Sequence, residues 1–275
     1  MPEKIKVLKI RFDSITLDEA SNKALKLASD GKQHFLATPN PEFLLEGLKN
    51  NKFQKILNQT DINIPDGIGI LWASAFQESA RKSQSKSTKI IKFLFFSGCV
   101  VFWPKRIRKI LPNRVTGVDL TEHICKEAAK TGHKVFLLGG WEEVGQKVKK
   151  ILEAKYPGLV ISGTYSGTPS VEEEKGIRDR ISKSKADILF VAYGAPSQEF
   201  WIYRNLKHLK NIKLAMGIGG TFNFIAGKRK RAPKIIQQFG LEWLFRLIQE
   251  PSRILRIYNA TIKFPLTILK EELKR

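Results

Sequence analysis

Asp66 is the side chain in this sequence best positioned for acid–base chemistry. It follows the apolar run Asp61-Ile-Asn-Ile64 and opens Pro65-Asp66-Gly67-Ile-Gly69. That spacing puts a carboxylate at a strand end with glycines behind it, where a substrate can reach it. The same position suits an Asx-turn or an N-cap aspartate, and position alone does not separate the readings. A second candidate group is cationic. Arg246, Arg253 and Arg256 stand seven and three residues apart, so on one helix of about 3.6 residues per turn they fall within about 80° of each other. Such a stripe can neutralise a departing phosphate, or it can be a solvated basic face. Pro251 interrupts the helix but is tolerated as a first-turn residue of a following one. Leu241, Leu244, Phe245 and Ile248 make a separate apolar stripe. His34, His123, His133 and His208 show no metal-ligand spacing, and no Asp-x-Asp occurs. Cys99 and Cys125 cannot build a disulfide framework.

The elements that must position these groups follow an alternating pattern. Lys134–Leu138 reads as a strand ending at Gly139-Gly140, with a helix over 142–156 closed by Pro157-Gly158. Leu159–Ile161 precedes a helix near 171–182, and Asp187–Tyr193 breaks at Gly194-Ala-Pro196 before a helix over 197–209. Lys213–Met216 ends at Gly217-Ile-Gly219-Gly220. Upstream, His34–Thr38 reads as a strand, Pro39–Glu42 as a turn and 43–50 as a helix, with a further apolar helix running from Gly69 to Phe76. The series predicts an α/β, Rossmann-like parallel sheet with flanking helices. Gly-rich turns at strand ends present backbone N–H groups suited to a diphosphate, which makes Gly139, Gly140, Gly194 and Gly219 binding candidates; tight turns without a ligand are the plainer reading. The turns match neither the dinucleotide fingerprint nor a Walker lysine pattern.

The 275 residues are 42% hydrophobic and carry a net charge of +22, which excludes global disorder and calls for an anionic partner. The charge is local. Residues 81–114 hold ten Lys or Arg and no acid, and 227–275 hold twelve against four. Inside the first stretch, Phe93–Trp103 is uncharged, flanked by Lys86, Lys89, Lys92, Lys105, Arg106, Arg108 and Lys109. As a helix it would be roughly 16 Å long, half a bilayer core, so it cannot span but can enter a membrane interface. A buried core helix is the competing reading. Nucleic acid is disfavoured as the partner, because the aromatics cluster in apolar blocks and are not interleaved with cations. With no secretory pattern at the start, a cytoplasmic protein attached peripherally to the inner face of the membrane is expected.

Five motifs recur in one order: Thr38-Pro-Asn40-Pro-Glu42, Pro65-Asp66-Gly67-Ile-Gly69, Arg114-Val-Thr-Gly117-Val-Asp119-Leu, Gly194-Ala-Pro196-Ser-Gln198-Glu199, and Arg231-Ala-Pro233 with Gly240-Leu-Glu-Trp243-Leu-Phe-Arg246. Together they resemble the WecG/TagA/CpsF family of glycosyltransferases over nearly the whole chain. The resemblance implies inverting, metal-independent transfer from a UDP-sugar to a polyprenyl-diphosphate-linked acceptor, with no cofactor, in cell-surface glycan assembly. The acceptor sugar is typically N-acetylglucosamine and the donated sugar an N-acetylmannosamine type. It implies a catalytic body over 1–226 and a basic, helical, membrane-docking C-terminal appendage over 227–275. By the same resemblance Asp66 is the general base, Thr38 and Asn40 orient substrate, and Arg114 and Gln198 contact it. Arg246, Arg253 and Arg256 lie over the nucleotide, and Arg231 belongs to the binding set. A homo-oligomer is compatible with the family.

Two departures stand out. Family members commonly carry an Asp where this chain has Phe222-Asn223-Phe224, so the contact made by Asn223 can differ; a catalytically silent membrane adaptor is the alternative this motivates. The stretch from about 79 to 113 looks like an insertion between the Asp66 and Arg114 motifs and offers a second membrane foothold.

Overall fold

A computed structural model describes residues 5–233, 236 and 242–275. Six parallel strands form the central sheet: β3 (His34–Ala37), β4 (Ile62–Asn63), β5 (Lys134–Gly139), β6 (Val160–Tyr165), β7 (Ile188–Ala192) and β8 (Leu214–Gly217), in the order β4-β3-β8-β7-β5-β6. Before them, β1 (Ile5–Val7) and β2 (Ile10–Phe12) pair as an antiparallel hairpin. The fold is α/β, with helices covering a sheet whose central strands are buried on both faces. Such strands read as continuous apolar runs, and Ile188, Leu189, Phe190 and Val191 are all fully buried.

The apolar material gathers into three clusters. One lies under the helices Leu17–Ala28, Gly117–Thr131 and Glu142–Lys155, and one on the opposite face around Trp201, Ile202 and Ile181. The third joins the hairpin to the helices Pro41–Lys49, Ile68–Arg81 and Lys86–Phe102. Phe264 and Ile268, on the last helix Phe264–Leu273, are fully buried in that third cluster. Glu272 of the same helix is also buried, accepting from Gln77 Nε2 at 2.7 Å, while its backbone carbonyl accepts from Lys89 Nζ at 2.8 Å. The chain terminus is therefore bolted to both helices of the 68–102 region.

Several boundaries differ from the sequence expectation for local reasons. The helix after β3 begins at Pro41, because the Asn40 side chain caps it by accepting from the backbone N–H of Glu42 and Phe43 at 2.9 and 3.3 Å. The helix after Asp66 runs on to Arg81. Phe93–Trp103 sits mostly within the helix Lys86–Phe102, which buries Phe96 and Cys99 yet leaves Ile91, Leu94 and Phe102 exposed. The core reading of that block thus holds for one of its faces only. Gly240 and Leu241 lie outside the described residues.

Candidate active site

In a parallel sheet all carboxyl ends share one edge, and ligands bind where successive connections leave in opposite directions. Here residues at the carboxyl ends of β4, β3, β8 and β7 line a cavity of about 680 Å³. Thr38 and Asn40 enter it after β3, Asp66 after β4, Gly194 and Gln198 after β7, and Gly217, Gly219 and Gly220 after β8. Arg114 comes from the segment before the Gly117–Thr131 helix. Arg246, Arg253 and Arg256 come from the C-terminal segment, which closes the cavity from above.

The motifs converge because their small residues touch. A methyl group on Gly69 would stand 2.9 Å from the Pro41 ring, so the Pro-Asn-Pro and Gly-Ile-Gly segments interlock only with glycine there. On Gly217 it would meet Gln198 and Glu199 at 2.6 Å. Gln198 is buried and knits two turns together: its Oε1 accepts from Gly194 N–H at 3.2 Å and Gly219 N–H at 2.8 Å. Its Nε2 donates to Glu199 Oε1 at 2.7 Å. Glu199 is fully buried with Oε2 unpartnered among the described residues, and burial pushes its carboxyl up to about 7.

Asp66 is held by its backbone, its N–H donating to Pro39 O at 3.1 Å. Loss of water around the carboxyl raises its pKa to about 6, against the opposing pull of Arg246 and Arg114. The cationic wall is cross-braced. Glu242 bridges Arg114 (NH2 to Oε2, 3.0 Å) and Arg246 (NH2 to Oε1, 2.6 Å). Burial raises the Glu242 carboxyl, but those guanidinium groups overcome it and hold it below the ordinary range. Arg256 pairs with Glu42 at 2.6 Å, Arg253 with Glu250 at 3.0 Å, and Arg229 with Glu250 at 2.8 Å. The Arg246 guanidinium also lies 5.0 Å over the Phe224 ring.

Four sequence candidates lie outside the cavity lining: Gly139, Gly140, Asn223 and Arg231. Gly139 ends β5 and Gly140 follows it, one strand beyond those that line the cavity, and a methyl group on Gly140 would stand 3.2 Å from the Phe222 ring. Their glycines serve close packing, since a methyl on Gly139 would stand 2.9 Å from the Ala192 backbone. Asn223 uses its backbone to fix the following turn, its carbonyl accepting from Arg229 N–H at 3.0 Å. Arg231 makes a two-pronged ion pair with Asp119, one prong at 3.2 Å. Sequence reasoning missed Glu42, Glu242 and Arg229 as parts of the wall. The two glutamates lay inside motifs already singled out, whereas Arg229 was hidden in the basic run Lys228-Arg-Lys-Arg231. Among the described residues no cluster of three or more His, Cys, Asp or Glu side chains could hold a metal ion, and no helix is long and apolar enough to cross a membrane.

Fold and site together define an α/β protein whose crevice sets one raised-pKa carboxylate against five guanidinium groups, Arg229 among them. The profile of the glycosyl transferase WecG/TagA/CpsF family matches residues 5–96 and 92–275, and the chain belongs to that family. It is 30% identical over 241 residues, 88% of this chain and 80% of the relative, to an N-acetylglucosaminyldiphosphoundecaprenol N-acetyl-beta-D-mannosaminyltransferase of Bacillus spizizenii. A protein of the same name from Staphylococcus aureus is 27% identical over 275 residues, covering 99% of this chain and 95% of its own. The Bacillus subtilis counterpart is 28% identical over 237 residues, 86% of this chain and 79% of its own.

Proposed function

We propose that the protein transfers N-acetylmannosamine, with inversion and without a metal, from its UDP conjugate to N-acetylglucosamine carried on a polyprenyl diphosphate at the cytoplasmic membrane surface. The observation that carries this reading is the sharing of one cavity by Asp66 and Arg114, Arg246, Arg253 and Arg256. The acceptor hydroxyl oxygen forms the new bond to the anomeric carbon while the bond from that carbon to the diphosphate oxygen breaks. The hydroxyl proton passes to Asp66, and the electron pair leaves with UDP. Asp66 must be ionised to accept it, and a pKa near 6 keeps it ionised yet basic at neutral pH. The arginines meet the charge gathering on the leaving diphosphate, each well-placed donor contributing on the order of 3 kcal/mol. Thr38, Asn40 and Gln198 line the same space and orient the sugars; Gly194 and Gly219 bring backbone close to them.

In this reading the C-terminal segment is a docking device as well as the source of three arginines. Support comes from its exposed Leu255, Tyr258 and Leu266 and from the exposed apolar face of the helix Lys86–Phe102 beside basic Lys105 and Arg106. An anionic bilayer fits such a surface. The direct test is UDP release across a panel of UDP-sugars with a short-chain lipid-diphosphate N-acetylglucosamine acceptor. Release is expected with the N-acetylmannosamine donor, persisting in EDTA and abolished in Asp66→Asn while UDP still binds. Full activity in Asp66→Asn would remove the assigned base.

A further inference from the structure

The cavity has a second end. From Asp66 it continues between the helix Lys86–Phe102 and the C-terminal segment, and there its walls turn apolar. Phe93, Ser97, Val100 and Val101 face it from the first helix, a spacing of i, i+4, i+7 and i+8 that forms one stripe. Ile257, Thr261 and Pro265 face it from the other side at intervals of four. Of this lining Trp72 is buried, whereas Val101 is 42% and Leu266 52% exposed. Ser97, Ala260 and Thr261 are small side chains in this lining. Val101 is followed directly in the chain by Phe102 and Trp103, the exposed apolar end of the helix, and then by Lys105 and Arg106.

We infer that this apolar slot holds the hydrocarbon chain of the acceptor, guiding its first isoprene units from the membrane surface to the diphosphate position beside the arginines. The inference rests on the proposed lipid-linked acceptor. Its physical basis is the joining, in one cavity, of a diphosphate-suited cationic wall to apolar walls, one of which belongs to the helix that carries the exposed, basic-flanked Phe102 and Trp103. That sequence of surfaces matches an amphiphile with an anionic head, and water-exposed apolar walls gain by being covered. The alternative source of hydrocarbon is the acyl chain of a bilayer lipid.

A Ser97→Cys variant tests this directly, because the native Cys99 and Cys125 are buried and the new thiol stands on the slot wall. Farnesyl diphosphate in detergent-free buffer is expected to slow labelling of that thiol by a maleimide, while inorganic diphosphate does not. Equal labelling with and without farnesyl diphosphate overturns the inference. Equal protection by phosphatidylglycerol vesicles alone also overturns it, assigning the slot to bilayer lipid. In turnover, Ser97→Trp is expected to cut the kcat/KM preference for a long-chain over a short-chain acceptor by about tenfold, the equivalent of about two buried methylene groups. An unchanged preference in both Ser97→Trp and Ala260→Trp contradicts the slot. If farnesyl diphosphate protects but no UDP-sugar is consumed, the transfer reading fails and the slot stands.

Discussion

Asp66 and Glu199 both carry pKa values raised by burial, to about 6 and about 7, and the sign of the consequence is the same for each. A carboxyl that the fold keeps protonated costs nothing below its unfolded pKa. The cost grows as pH passes upward through the window and is complete above the folded value. For Asp66 the window is 3.8 to about 6, and for Glu199 4.5 to about 7. At about 1.4 kcal/mol per unit, each amounts to on the order of 3 kcal/mol. Asp66→Asn and Glu199→Gln are therefore expected to raise Tm at pH 8 and leave it nearly unchanged at pH 4. Calorimetry at both pH values checks this, and an equal shift at pH 4 would contradict it. Their functional effects should part company. Asp66 is the base, so kcat/KM of the native protein should climb with pH and level off above about 6. Glu199 acts through Gln198, so Glu199→Leu, which deprives the Gln198 amide of its acceptor, should raise KM for the donor while Glu199→Gln preserves it.

Among the elements, the last helix is the least expected. Its sequence, Phe264-Pro-Leu-Thr-Ile-Leu-Lys-Glu-Glu-Leu, reads as an amphipathic tail, yet Phe264, Ile268 and Glu272 lie one turn apart and are fully buried. Phe264→Ala should cost about 3–5 kcal/mol by cavity formation, read as a fall in the urea midpoint. A change under about 1 kcal/mol would mean the helix is not part of the folded core. Most strands were legible because each is a short apolar run stopped by glycine or proline, and Asp66 and Gln198 because they stand at those stops; β6 instead runs on past Ile161 through Gly163 to Tyr165, where the sequence reads as a turn. The β1–β2 hairpin was not, since its turn places Leu8 and Lys9 at φ of 45° and 71° without the Asn-Gly or Gly that normally advertises it. The C-terminal half of the cavity wall was legible only in part. The three arginines share the cavity without forming a stripe on one helix, because the helix Glu242–Gln249 stops before Pro251, and which carboxylates brace them depends on contacts such as Arg256 to Glu42, 214 residues apart. Gly139 and Gly140 looked equivalent to Gly194 and Gly219, and only the strand order separates them.

At the scale of the molecule, residues 81–114 bring ten cations and no acid to the stretch that also exposes Ile91, Leu94, Phe102 and Trp103. Each cation near an anionic bilayer is worth about 1 kcal/mol. Vesicles rich in phosphatidylglycerol should therefore bind the protein far better than neutral ones, with the difference vanishing at high salt. Lys105→Glu with Arg106→Glu should weaken that binding at least about tenfold. Sedimentation with vesicles of the two compositions reads both effects, and equal binding to neutral vesicles would contradict the electrostatic part.

The bracing of the arginines has one more consequence. Around the cavity five guanidinium groups face three carboxylates, Glu42, Asp66 and Glu242, so the crevice is far less positive than its arginines suggest. A ligand must compete with these built-in counter-ions for the same donors. Singly charged anions gain little from the exchange, whereas a diphosphate can engage several guanidinium groups at once. Such a crevice selects by valence, passing over abundant cellular chloride in favour of guests whose charge is spread over several phosphoryl oxygens.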